Sequence, residues 1–179
     1  EYMKEQCNNS QLRDLASEAK SLMRVTESAE QVCWRLREIE EKNKSAEKDP
    51  EVLQDLAEES YVNGILLLDE NGRVEASCDT AGFSAEDILS KVDLEAVLDT
   101  VSFSEKTYVA RITFPDESHL DFAADGRTDK KGAVLVYYYT SAVYAKTFNN
   151  SIRSLVNGYS VENDGTVVVS SGDRIIASN

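Results

Sequence analysis

The stretch GILLLDENGRVEAS, residues 64–77, contains the pattern that decides the fold. It opens with the apolar run Ile65 to Leu68, which has the length and composition of a buried strand. The next four residues, Asp69-Glu70-Asn71-Gly72, favour a turn, and the glycine can take the positive φ that tight hairpins require. We therefore predict a β-hairpin that pairs residues 62–68 with residues 73–78.

The residues after this hairpin predict short helices followed by three more strands. Ser84 with Asp87 three positions later has a capping pattern, and the apolar residues behind it are spaced as in one or two short helices. Three runs rich in β-branched and aromatic residues follow, at residues 107–114, 119–124 and 132–140. With the hairpin they predict a five-stranded antiparallel sheet.

The residues before the hairpin predict one long amphipathic helix. Residues 10–48 contain neither Gly nor Pro, and apolar side chains recur mostly three or four positions apart. Two interpretations of this stripe remain open: packing against the sheet of its own domain, or a seam between two copies of the chain. Asp49-Pro50-Glu51 then predicts the start of a second, shorter helix that ends near residue 60. The apolar stripe consists of Leu15, Leu22, Val25, Ala29, Val32, Leu36 and Ile39.

The hairpin pattern occurs a second time near the C-terminal end. Residues 166–178 align without a gap to residues 65–77, as an apolar strand, a polar turn, an Arg and an Ala-Ser ending. A repeat separated by about one module length predicts two tandem units of the same fold. Only the first hairpin of the second unit lies within these 179 residues.

The order of these elements resembles the PAS-like arrangement. The whole chain resembles the double-Cache family of extracytoplasmic sensor domains, because it also contains the two similar hairpins GILLLDENGRVEAS and GTVVVSSGDRIIASN. The resemblance implies an α+β fold, in which a long N-terminal helix packs on a PAS-like five-stranded antiparallel sheet, followed by the first hairpin of a second PAS-like unit. The domains would be a helical segment at 1–60, a membrane-distal sensor module at 61–145, and a connector with the truncated second module at 146–179.

Charge and motif content exclude several classes of function. The chain has 33 acidic and 19 basic residues, a net charge of -14, and this surface repels nucleic-acid phosphates and anionic lipid headgroups. The longest apolar run is far shorter than a membrane span. Nucleophile-elbow, phosphate-loop and zinc-protease motifs are absent, and His119 is the single histidine. We therefore expect no catalytic activity, no metal site and no cofactor such as haem or flavin.

The resemblance also implies where a ligand would bind. In PAS-like sensors the pocket lies between the sheet and the helices that follow strand two, so polar and aromatic side chains on strands three to five are the candidates. An Arg could clamp a carboxylate and an Asp could hold an ammonium group. Amino-acid-binding members carry an Arg-x-Trp-Tyr motif, whereas Arg111 is followed by Ile112-Thr113-Phe114. The predicted ligand-binding residues are Tyr108, Arg111, Asp121, Asp125, Tyr137 and Tyr139.

The alternation of side chains along a strand limits which of these six residues can face the same pocket. About half of the candidates should point away from any pocket, because successive side chains of a strand point to opposite faces. Tyr137 and Tyr139 should share one face, and Tyr138 should lie on the other. Whether the tyrosines pack in the core or stack on a ligand stays open at the level of sequence.

Two functional hypotheses follow. In the first, the chain is the extracytoplasmic sensor domain of a bacterial membrane-anchored receptor whose output is a histidine kinase, a diguanylate cyclase or a chemotaxis module. It would bind an unknown small molecule and pass a conformational change along the N-terminal helix. In the second, the chain is a structural module whose own side chains fill the pocket, and it forms a homodimer through the N-terminal helix.

Overall fold

The computed structural model describes residues 2–42, 46–103, 105–145, 168–171 and 174–178, and it describes side chains from residue 15 to residue 145 within those ranges. The chain divides into two compact units. The larger comprises residues 20–113 and 119–139, and the smaller comprises residues 1–19, 114–118 and 140–179. Among the described helices, none is both long enough and apolar enough to cross a membrane.

A five-stranded sheet forms the centre of the larger unit, in the order β2-β1-β5-β4-β3. Strand β1 pairs antiparallel with both β2 and β5, and β3 pairs antiparallel with β4. This architecture, with a long helix before the sheet, confirms the predicted α+β, PAS-like fold. The strands are β1 (Gly64–Leu68), β2 (Val74–Asp79), β3 (Thr107–Thr113), β4 (His119–Gly126) and β5 (Ala133–Thr140).

The turn between β1 and β2 forms as its residue types predict. The carboxylate of Asp69 accepts hydrogen bonds from the backbone N–H groups of Asn71 and Arg73, both at 2.8 Å, and Gly72 has a φ of 78°. These hydrogen bonds lower the pKa of Asp69, since they favour its charged form. Local side-chain chemistry is therefore sufficient to set this reversal of the chain.

The helices are α1 (Tyr2–Lys42), α2 (Pro50–Glu59), α3 (Ala85–Leu89) and α4 (Leu94–Ser102), with a short 3₁₀ helix at Ala46–Lys48. Asp49 caps α2 by accepting from the Glu51 N–H at 3.0 Å, and Ser84 with Asp87 forms the predicted capping box at α3. The prediction that the first helix continues to residue 48 is wrong, because α1 ends at Lys42. Tertiary contacts override helix propensity here, since the side chain of Glu47 is buried against Arg127 and Lys130.

Helices α1 and α2 cover one face of the sheet. The stripe residues Val25, Ala29, Val32 and Leu36 are almost completely buried, and each fully buried Val or Leu side chain contributes about 1.5–3 kcal/mol. This packing confirms the interpretation that the stripe contacts the sheet of its own domain. The apolar residues that share this core are Leu53, Leu56 and Ala57 of α2 and Ile65, Leu67, Ala123, Val134 and Val136 of the strands.

Helices α3 and α4 belong to the opposite face, where Ile88 and Val97 are fully buried. Helix α4 approaches β4 very closely at Gly126. A Cβ atom added at Gly126 would lie 2.1 Å from the carbonyl oxygen of Thr100, so a glycine is required at this position.

The smaller unit contains the second predicted hairpin. Strands β6 (Val168–Ser171) and β7 (Arg174–Ser178) pair antiparallel, with a register irregularity between Val169 and Ser170. The sequence alignment with the first hairpin would pair Val168 with Ala177, whereas the structure pairs Val168 with Ser178. The connector predicted before this hairpin, at residues 146–167, lies outside the described residues.

Candidate functional site

The six predicted ligand-binding residues lie on the three strands β3, β4 and β5, but on two faces of the sheet. Tyr108, Tyr137 and Tyr139 lie on the face that α3 and α4 cover, where their contacts are with Asp93, Asp79 and Phe83. The other three, Arg111, Asp121 and Asp125, lie on the face that α1 covers. The structure therefore brings together two groups of three side chains instead of a single site.

Tyr137 is the centre of the first group. Its side chain is fully buried, and its ring lies across Gly64, where an added Cβ would be 2.2 Å from the ring carbon Cζ. Its hydroxyl donates to the carboxylate of Asp79 on β2. Burial and this carboxylate both raise the pKa of Tyr137, so the phenol keeps its proton and remains a donor.

Asp79 also organises the loop between β2 and α3. Its carboxylate accepts from the backbone N–H groups of Ala81 at 3.1 Å, Gly82 at 2.6 Å and Phe83 at 2.9 Å. This loop presents the ring of Phe83, which packs edge-on against Tyr139 with centroids 5.3 Å apart. Phe83 also contacts Tyr137 edge-on at 6.3 Å. We call Asp79, Phe83, Tyr108, Tyr137 and Tyr139 the aromatic site.

The remaining member, Tyr108, connects β3 to the start of α4. Its hydroxyl oxygen accepts from the backbone N–H of Asp93, the residue that caps α4, at 3.3 Å. Tyr108 and Tyr139 are half-buried, whereas the carboxylate-bearing Asp79 is exposed. The aromatic site thus offers ring surfaces and a hydrogen-bond-accepting carboxylate, which together can hold a small molecule that carries a donor group.

Sequence reasoning missed Asp79 and Phe83. Both precede the capping box at Ser84, in the segment Asp79-Thr80-Ala81-Gly82-Phe83. An Asp two or three residues before a Gly is a signal for a side-chain-closed turn, and this could have identified the loop. The pairing of Tyr137 with Asp79 across β1 has no local signal, because 58 residues separate the partners.

Two members of the group under α1, Arg111 and Asp121, form an internal salt bridge. Asp121 is fully buried and receives two hydrogen bonds from the guanidinium of Arg111, at 2.6 and 2.8 Å, and a third from the hydroxyl of Ser21 on α1, at 2.6 Å. On the same face, the guanidinium of Arg24 lies 4.2 Å from the ring centroid of Tyr138. The charges of Arg111 and Asp121 thus satisfy each other, and they fasten α1 to the sheet.

Asp125 lies on the same face as Asp121 but lacks a cationic partner of this kind. One carboxylate oxygen accepts from the Thr107 hydroxyl at 2.6 Å, and the other is buried without a hydrogen-bond partner among the residues that the structure describes. Burial raises the pKa of Asp125, the hydrogen bond from Thr107 opposes this rise, and nearby Glu30 adds to it. Burial likewise raises the pKa of the neighbouring Cys33 thiol to about 12.

Three carboxylates meet where the turn after β4 contacts the last turns of α1 and the 3₁₀ helix that follows it. Oxygen atoms of Glu40, Glu47 and Asp129 lie within 4.8 Å of one another, a spacing that could hold a divalent cation. However, Arg127 Nη2 already lies 2.5 Å from Glu47 Oε2 and also binds Asp129, and Lys130 binds Glu47 as well. Arg127 and Lys130 thus already occupy Glu47 and Asp129 in an ion-pair cluster, and the hydrogen bond with Glu47 raises the pKa of the third carboxyl group, Glu40.

A groove between α1 and α2 is a further concave feature, with a volume of about 210 Å³. Its apolar lining comes from Ile39, Val52 and Leu56. An ion pair between Arg35 and Glu59, at 3.2 Å, spans its rim. The lining residues include both basic and acidic side chains.

The arrangement of long helix and five-stranded sheet is found among solved structures of receptors. The fold is similar to that of a chemoreceptor ligand-binding domain. Comparison of this chain with the ligand-binding domain of the Campylobacter jejuni chemoreceptor Tlp3, in complex with 4-methylisoleucine, gives a TM-score of 0.51 at 10% sequence identity. The match covers 98% of this chain and 68% of that chain. The complex of the same domain with L-norvaline gives 0.50 at 10% identity, with the same coverage.

At this level of identity the similarity establishes the fold and nothing finer. No protein-family model and no curated protein sequence matches the chain. The chemistry of any binding site must therefore be argued from the residues of this chain.

Proposed function

We propose that this chain is the extracytoplasmic sensor domain of a bacterial signal-transduction receptor, and that the aromatic site binds its small-molecule ligand. The observation that carries the proposal is the meeting of Tyr137, Tyr139 and Phe83 with the Asp79 carboxylate on the face under α3 and α4. Support for the receptor context comes from the fold, which resembles the ligand-binding domain of a chemoreceptor. The parent would be membrane-anchored, with a histidine kinase, diguanylate cyclase or chemotaxis output.

The ligand class follows from the groups that the site offers. Asp79 accepts hydrogen bonds, and the aromatic rings favour apolar or cationic groups, so an amine-bearing compound with an apolar side chain is the first class to test. Tlp3, whose domain has a similar fold, binds 4-methylisoleucine and L-norvaline, which are compounds of this class. Arg111 and Asp121 bind each other under α1, so in this proposal they attach the transmitting helix to the sheet.

We also propose a tandem arrangement, in which residues 61–145 form the membrane-distal module and the β6–β7 hairpin begins a second module of the same fold. The proposal rests on the repeated hairpin sequence and on the antiparallel pairing of its two strands. A change at the aromatic site would then reach the membrane through α1.

Neighbouring tyrosines on opposite faces provide a matched test. Amino acids, amines, organic acids and sugars are screened by thermal shift, and a ligand at a hundred times its dissociation constant should add about 2.7 kcal/mol of stability. The affinity of any hit is then measured by calorimetry for Tyr139→Ala and Tyr138→Ala. We expect Tyr139→Ala to weaken binding at least about tenfold, equivalent to 1.4 kcal/mol, and Tyr138→Ala to leave it unchanged. Equal effects of the two substitutions would contradict the assignment of the site.

One observation favours the alternative of a structural module. Tyr137 is fully buried among Gly64, Asp79, Phe83 and Phe122, so its own ring fills the space that a ligand would need. In this alternative α1 carries the function through a homodimer, and its exposed Met23 and Trp34 would lie at the seam. Sedimentation distinguishes the two functions. A dimer that Trp34→Glu dissociates, together with no response in the ligand screen, would favour the structural module.

A further inference from the structure

The buried carboxyl group of Asp125 lies directly under α1, and no neighbouring cation in the described part of the chain forms an ion pair with it. The residue is 9% exposed, and only one of its two carboxylate oxygens has a hydrogen-bond partner among the described residues, the Thr107 hydroxyl on β3 at 2.6 Å. An ionised carboxylate in such a place loses its hydration without replacement, which is costly. A bound proton removes that cost.

Asp121 provides an internal comparison, since it lies four residues earlier on the same face of the same strand. Asp121 receives three hydrogen bonds, two of them from the cation Arg111. Asp125 receives one, from a neutral hydroxyl. The same strand therefore presents two carboxylates to α1: Asp121, whose negative charge is paired with a cation, and Asp125, whose negative charge would have no cationic partner within the described ranges.

The charged and titratable groups around Asp125 do not compensate for this difference. Helix α1 contributes Glu30, whose negative charge opposes ionisation of Asp125, and Cys33, whose thiol donates to the Asp125 backbone oxygen at 3.9 Å. The next side chain on this face of the chain, Arg127, binds Glu47 and Asp129 through Nε and Nη2, and its Nη1 is buried without a hydrogen-bond partner among the described residues. Strand β3 contributes Thr107, which carries no charge.

We propose that Asp125 is a proton-binding site that sets the strength of the contact between α1 and the sheet, so that the chain responds to acidity as well as to a ligand. With the proton bound, the carboxyl group is neutral and α1 packs closely over it. When the proton leaves, a buried negative charge faces Glu30, and the contact between α1 and β4 weakens. The link to signalling rests on the proposed function of α1, but the proton site itself does not.

The direction of the pH effect follows from linkage. Because the folded chain holds the Asp125 proton more tightly than the unfolded chain does, this group favours folding at low pH, and its contribution is lost as pH rises. The loss begins near the unfolded value of about 3.9 and continues up to the raised pKa of the folded state. Within that window a single proton changes the ratio of folded to unfolded chain by up to about tenfold per pH unit.

The test compares the 179-residue chain with Asp125→Asn in urea unfolding from pH 4.5 to pH 8, followed by the fluorescence of Trp34, the single tryptophan. We expect the variant to gain stability relative to the wild type as pH rises, by up to about tenfold in the folded-to-unfolded ratio per pH unit. A difference that is independent of pH across this range, or that has the opposite sign, would overturn the proposal.

Two further variants keep the test decisive if Asp125→Asn does not fold. Thr107→Val removes the hydroxyl that favours the anion, and it should move the transition to higher pH. Glu30→Gln removes the repelling charge and should move the transition to lower pH. Glu27→Gln is the matched control for Glu30→Gln, because both residues are exposed on α1 but only Glu30 contributes to the raised pKa of Asp125, and it should leave the profile unmoved. Shifts in the reverse directions would reject the site.

Hydrogen exchange tests the effect on the helix separately. After correction for intrinsic rates, the amides of residues 29–36 should exchange several-fold faster at pH 8 than at pH 4.5 in the wild type, and equally fast at the two pH values in Asp125→Asn. Amides that do not respond to pH in the wild type would overturn the effect on α1. A failed ligand screen would reject the proposed ligand site and leave these results unaffected, so the two proposals can fail independently.

Discussion

Arg111 and Asp121 lie on one face of the sheet and Tyr137 and Asp79 on the other, and the two pairs hold their surroundings in different ways. Under α1 the pair is a salt bridge whose acid is fully buried. Under α3 and α4 the pair is a phenol bound to a carboxylate that water can reach. Both pairs join residues on different strands, so the contrast reflects burial and charge.

This difference predicts which face can exchange its contacts. Separating a buried charged pair leaves an uncompensated ion, which costs about 3–5 kcal/mol. Separating the phenol from the accessible carboxylate costs less, about 1–3 kcal/mol, because water can solvate Asp79 while only the buried Tyr137 hydroxyl loses its partner. A ligand can therefore displace contacts on the face under α3 and α4 at low cost, while α1 stays attached to the sheet.

The largest expected effect is that of Arg111→Met, which removes the cation and preserves most of the side-chain volume. Asp121 would be left as a buried, uncompensated charge, so we expect a loss of about 3–5 kcal/mol in the free energy of unfolding at pH 7, measured with urea. The double variant Arg111→Met with Asp121→Leu should recover most of this loss. If the two single effects simply add in the double variant, the pair is not coupled and the contrast between the faces fails.

Gly126→Ala tests the packing of α4 and should have the second largest effect. The new Cβ would lie 2.1 Å from the Thr100 carbonyl oxygen and 2.8 Å from its carbon, so the backbone of α4 must move. We expect a loss of about 2–3 kcal/mol in unfolding free energy. Gly82→Ala is the control, since no atom lies within 4 Å of its added Cβ. Its φ of 90° costs only about 1 kcal/mol, and a loss as large as that of Gly126→Ala would contradict the close approach of α4.

Local signals in the sequence were sufficient to predict the turns and the helix starts. The turn at Asp69, the cap at Asp49 and the box at Ser84 each depend on residues within four positions, and each forms as predicted. The alternation of side chains along a strand also predicted correctly that Tyr138 lies on the opposite face of the sheet from Tyr137 and Tyr139, since successive side chains point to opposite faces.

What the sequence could not give is the choice of partner across the fold. Arg111 and Asp121 meet because β3 and β4 pair in one particular register, and Glu47 meets Arg127 over 80 positions. Helix propensity alone likewise extends the first helix beyond Lys42, where α1 ends. The division of the predicted ligand residues between two faces has the same origin: alternation assigns side chains to faces within a strand, but register and helix packing decide which face meets which helix.

The smallest expected effect is that of Tyr137→Phe, which removes one hydroxyl and keeps the ring over Gly64. Asp79 keeps the hydrogen bonds from the loop backbone, so we expect a loss of about 1 kcal/mol in unfolding free energy. Tyr138→Phe is the matched control on the opposite face. Its ring keeps the contact with Arg24, and the change should stay within about 0.5 kcal/mol.

The two outcomes separate a replaceable contact from a structural one. If Tyr137→Phe costs as much as Arg111→Met, then the phenol is as firmly built into the fold as the salt bridge, and no ligand could displace it cheaply. If the cost is about 1 kcal/mol, a ligand needs only a slightly better donor to Asp79 than the Tyr137 hydroxyl in order to take its place. A ligand with that donor should then bind Tyr137→Phe more tightly than the wild type, by up to about fivefold, because the variant lacks the competing hydroxyl.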